Sequence, residues 1–111
     1  MKTITLFTSI LIMALFSISA LAESSHLDQA IQHAESAAKS ADGKTVARHA
    51  RMAKNHANAA KSQKDRLINR KHLDEGIKCL DDAAKEGEDG NTDAAKQAAT
   101  DAVKHFKQAT K

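Results

Sequence analysis

The six histidines and the single cysteine of the chain recur at a spacing of seven residues: His26 and His33, His49 and His56, then His72 and Cys79, with His105 standing alone. Imidazole and thiolate are ligands for copper, zinc and nickel, so the repeated pair points to transition-metal chemistry. Seven residues is close to two helical turns, about 10.5 Å along the axis, which places each pair on one edge of its own helix. Two nitrogens on one zinc or copper ion, with bonds near 2.0 to 2.1 Å, lie only roughly 3 Å apart. One heptad pair therefore cannot chelate one ion unaided.

Within a helix the reachable neighbours are three or four residues away. The sequence offers Gln29 to His33, Met52 to both His49 and His56, Glu75 to both His72 and Cys79, and Asp101 to His105. A thioether between two imidazoles suits Cu(I), and a thiolate near His72 suits Cu(I) or Zn(II), whereas Gln29 is a poor ligand. This marks the second and third helices as the better soft sites and leaves His105 with the fewest donors around it. Each residue also has a plainer role. A surface histidine is ordinarily solvated, Met52 could fill a gap in the core, Cys79 could pair between two chains or be buried inertly, and Glu75 and Asp101 could be solvated helix charges.

The elements that hold these residues begin after a leader. Lys2 is followed by an uncharged, mostly apolar run at 4–18 and by Ala20-Leu21-Ala22, the small-x-small pattern read by signal peptidase. Residues 1–22 are thus expected to be a Sec-type signal peptide, cleaved after Ala22 and directing the rest to secretion. The run is shorter than the roughly 20 residues of a membrane span. Residues 23–111 are expected to be one small domain with no membrane attachment once the signal is removed.

Tyr, Trp and Pro are absent and Ala, Lys, Asp, Glu and Gln dominate, which favours helix over strand. The net charge of +3 decides little, because acids and bases alternate. Ser25 with Asp28 reads as a capping box opening a helix that runs to about Ala41, where Asp42-Gly43 stops it. A second helix is expected from about Thr45 to about Lys61. The third has an open start, since Ser62 with Asp65 could cap it early while Leu67 and Ile68 fall out of phase with Leu73, Ile77, Leu80 and Ala84. The turn at 87–91 precedes a last helix opened by Thr92.

The segment HLDQAIQH at 26–33 parallels HLDEGIKC at 72–79, and each is followed by Ala-Ala-Lys and then by Asp-Gly and Thr at a turn. Two duplicated helical hairpins are implied, and the simplest burial of their apolar seams is an all-α, antiparallel four-helix bundle. The expected seams are Leu27, Ile31, Ala34 and Ala38; Val46, Ala50, Ala53, Ala57 and Ala60; Leu73, Ile77, Leu80 and Ala84; and Ala95, Ala99, Ala102, Phe106 and Ala109. Every histidine, and Cys79, immediately precedes a seam residue. All seven donors therefore share one flank, at the border of core and water.

The two repeated octapeptides, the GEDG turn at 87–90 and the closing DAVKHFKQA at 101–109 resemble the small metal-binding protein (SmbP) family of the bacterial periplasm, almost end to end over residues 23–111. That resemblance implies a small helical bundle that binds copper preferentially, along with other transition metals such as Ni(II) or Zn(II), and buffers or sequesters it. His26, His33, His49, His56, His72 and His105 match histidine positions of the family, and Cys79 stands where a histidine is expected. Ser40, Glu86, Asn91 and Ala98 stand where members carry further histidines.

Other classes have less to rest on. The chain has no phosphate-binding glycine loop, no nucleophile with a placed base and no HExxH zinc motif, so an enzyme is not expected. Interleaved acids and the lack of stacking aromatics argue against a nucleic-acid module. The serious rival is a metal-independent helical protein-interaction or envelope-stress module. It explains the heptads and leaves the histidines as coincidence. The expected assembly is a monomer, with a disulfide dimer through Cys79 as the alternative.

Overall fold

The computed structural model describes residues 25–62 and 68–110, and these form four helices with no strand among them. They are α1 (His26–Lys39), α2 (Gly43–Ser62), α3 (Arg70–Glu88) and α4 (Thr92–Ala109). The leader at 1–22 and the Ser62–Asp65 cap, which needs residue 65, lie outside the described residues.

The Ser25 hydroxyl accepts from the Asp28 amide and the Asp28 carboxylate accepts from the Ser25 amide, so the capping box opens α1 as the sequence predicts. α1 ends at Lys39 with Ser40 as its C-cap, about a half-turn earlier than the expected Ala41. Asp42-Gly43 does not stop α1; it starts α2, with the Asp42 carbonyl accepting from the Val46 amide. Gly43 is buried because it meets Gly87 of α3, and a Cβ on either would collide with the other's backbone. Gly87 accordingly lies inside α3 and not in a turn. Asn69, unmarked in the sequence reading, caps α3 by accepting from the His72 amide at 3.2 Å.

The α3–α4 turn is a Schellman motif. The Asn91 amide donates to the Glu86 carbonyl and the Gly90 amide to the Gly87 carbonyl, with Gly90 at φ 88°. Thr92 opens α4 as expected.

α1 packs on α2, α2 on α3, α3 on α4 and α4 back on α1. Arg51 pairs with Glu88, Lys54 with Asp81 at 2.6 Å and Lys61 with Asp74 at 2.9 Å, so partner numbers fall along α3 as they rise along α2. These ion pairs are exposed and add little stability. The core carries it, and it is mostly alanine, with Phe106, Leu73, Leu80 and Val46 the largest fully buried side chains. On α2 and α4 the buried residues include every expected seam position. On α1 and α3 the burial is wider and turned by a residue: Ala30, Ala37, Gly76 and Ala83 are buried, while Ile31, Ala38, Ile77 and Ala84 are partly so. A helix covered by two neighbours buries more than a single stripe.

Candidate metal centre

Leu27, Ala34, Ala50, Ala57, Leu73, Leu80 and Phe106, which follow the seven donors in sequence, are all buried. That fixes each donor at the rim, and all seven are half-buried. The rim donors fall into two groups, one between α1 and α2 and one between α3 and α4.

In the first group the rings form a row in the order His26, His56, His33, His49. Their centroids are 5.7, 5.3 and 6.3 Å apart, and the rings of His33 and His56 are stacked nearly parallel, at 5°. The spacing follows from the heptad. A gap of about 10.5 Å on one helix is roughly halved by a ring from the other, because the rings of α1 and α2 interleave along the row. His26 Nδ1 and His56 Nδ1 are 3.4 Å apart. Two ligands of one tetrahedral ion with bonds near 2.05 Å are separated by about 3.3 Å, so this pair is already spaced as two ligands of one ion would be. Burial, then the charges of His56 and His49, push the His33 imidazole below its ordinary pKa and favour the neutral ring that a metal requires.

In the second group His72 and His105 stack with centroids 5.8 Å apart. The Glu75 carboxylate oxygen Oε1 lies 3.3 Å from Nδ1 of both rings. One donor atom from each of these three residues falls within 4.8 Å of the others. His72 Nδ1 and His105 Nδ1 are buried atoms without an aligned hydrogen bond, as is His49 Nδ1. The Glu75 contacts are thus close enough for charge pairing but poorly directed. A buried nitrogen without a partner is costly, and a metal ion would satisfy it.

A model of the small metal-binding protein family matches residues 1–109. The chain belongs to that family. No curated protein sequence matches it. The membership makes metal binding the property to be explained and accords with a non-enzymatic role.

In this member of the small metal-binding protein family the structure changes the reading of two residues, His105 and Glu75, and removes the plainer alternative for a third, Met52. His105 is not the donor-poor histidine: its neighbours come from α3, across the helix interface, and counting along α4 could not find them. Glu75 is not merely a solvated charge, since it bridges two rings. Met52 does not fill the core; it is 37% exposed. Cys79 is free and half-buried, and its thiol is pushed up by burial first and then by Asp101, Asp82 and Glu75. Asp101 accepts from Gln97 Nε2 at 3.1 Å.

Proposed function

We propose that this protein, carried to the periplasm by residues 1–22, binds and sequesters transition metal ions, copper preferred, at two rows of donors on the flanks of an antiparallel bundle of two duplicated hairpins. The first row is His26, His56, His33 and His49. The second holds His72 and His105, with Cys79 on the same edge of α3. Met52 and Cys79 are the soft donors that would favour Cu(I).

The 3.4 Å approach of His26 Nδ1 to His56 Nδ1 carries this reading. It brings together residues 30 apart in sequence at a ligand-to-ligand spacing. The falling partner numbers of the α2–α3 ion pairs support the antiparallel arrangement. The metal-independent alternative would have to dock on a polar surface, since Met52 is the exposed large hydrophobic among the described residues.

Calorimetric titration with Cu(II), Zn(II) and Ni(II) tests the proposal. Saturable binding is expected for all three, tightest for Cu(II) as the general order of divalent affinities requires. Binding should weaken as pH falls through the imidazole range near about 6.5. Absence of binding would favour the interaction-module reading, and an affinity flat with pH would point to carboxylates in place of imidazoles.

A further inference from the structure

Beyond their different numbers of histidines, the two rows differ in charge at one matching position. Position 29, between His26 and His33, is a neutral glutamine; the matching position in the second repeat is Glu75. We propose that His72, Glu75 and His105 form a separate site of a different kind, which holds a Zn(II)-class divalent ion through two imidazole nitrogens and one carboxylate oxygen and leaves one coordination position open for water or a small anion. This rests on the metal-binding reading above and says which ion class the second row takes.

Three protein donors are what the geometry supplies. Glu75 Oε1 is 3.3 Å from both imidazole nitrogens, and one donor atom from each of the three residues lies within 4.8 Å of the others. A fourth donor is lacking on each side. Position 98, one heptad before His105, is Ala98; Asp101 is engaged by Gln97; and Cys79 is two turns along α3 from His72, about 10.5 Å away along the axis. The three side chains are about one-third exposed, at 32%, 39% and 31%, so the outer side of a bound ion faces solvent.

Two histidines and a glutamate with a solvent ligand are a donor set that suits Zn(II). A hard carboxylate disfavours Cu(I), which prefers thiolate and thioether. The first row, with nitrogen donors and Met52 nearby on α2, is the better place for copper. The fold thus separates a nitrogen row from a mixed nitrogen–oxygen site on opposite hairpins.

Co(II), a spectroscopic substitute for Zn(II), tests this on the full chain. The cobalt visible bands should shift when azide is added, because azide takes the open position. Glu75→Gln should abolish the azide-sensitive component and weaken Zn(II) at that site on the order of tenfold or more, with unchanged helical circular dichroism. His105→Ala should do the same, and the paired His26→Ala and His56→Ala change should leave that component intact. An azide response that survives both Glu75→Gln and His105→Ala, or that disappears with the His26 and His56 pair instead, overturns the proposal while leaving metal binding standing. A chain that takes up neither Co(II) nor Zn(II) overturns the metal-binding reading itself.

Discussion

At the scale of single residues, His33 links the site to stability. Its imidazole pKa is lowered by burial and then by His56 and His49. As pH falls past about 6.5, the unfolded chain takes up a proton that the native His33 still refuses. Native stability is therefore lost as pH falls from that point down through the lowered native value, and regained as pH rises. The metal-free melting temperature should drop between about pH 7 and pH 5.5, and His33→Gln should make the drop shallower. An unchanged slope in that variant would show that the ring is not held neutral. Met52 and Cys79 bear on redox selectivity. Met52→Leu with Cys79→Ser should weaken Cu(I) binding, measured anaerobically against a chromophoric chelator, and leave Ni(II) nearly unaffected. Equal losses for both ions would mean that neither residue is a soft ligand.

At the scale of helices, close approach between backbones sets where the donors meet. Gly43 and Gly87 let α2 and α3 touch, and Gly76 lies under Phe106, where a Cβ would be 2.5 Å from Cε1 of the ring. Gly76 follows Glu75 and Phe106 follows His105 in the chain, so this contact draws the carboxylate and the imidazole together. Gly76→Ala should push α4 outward and weaken the α3–α4 site more than the α1–α2 row, read as separate affinities for Zn(II) and Cu(II). Equal weakening would assign Gly76 to general packing. Gly87→Ala should cost about 1–3 kcal/mol in denaturant unfolding through overpacking. That outweighs the helix propensity gain of at most about 1 kcal/mol; a stabilised variant would contradict the close approach. Much of the helical frame was legible in the sequence because capping and heptad periodicity are local: Ser25 with Asp28, Thr92, and the alanine seams of α2 and α4. The meeting of His26 with His56 and of Glu75 with His105 was not. It depends on the register of one helix against another, and that register is set partly by glycine contacts that leave no periodic trace.

At the scale of the whole molecule, the thin core makes the ion a structural partner. Alanine fills most of the interior and Phe106 is its largest buried side chain, so packing alone offers a small domain limited stability. Donors drawn from two helices at once bind the folded chain better than the unfolded one, and binding then adds stability by mass action. The second row also ends early, since Ala98 stands at the place that His49 holds in the first. Ala98→His should add a donor to the α3–α4 flank and raise copper capacity there, with no change in the α1–α2 row; an unchanged stoichiometry would mean that the two hairpins do not share a register. Thermal unfolding against increasing Cu(II) decides whether the sites are organised by the bundle. The melting temperature should climb with ion concentration, gaining about 2.7 kcal/mol at one hundred times Kd, a rise on the order of 10–20 °C for a domain of this size, and the gain should be largely lost when His26, His56, His72 and His105 are replaced together by glutamine. A melting curve that copper leaves unmoved would contradict sites built across the helices.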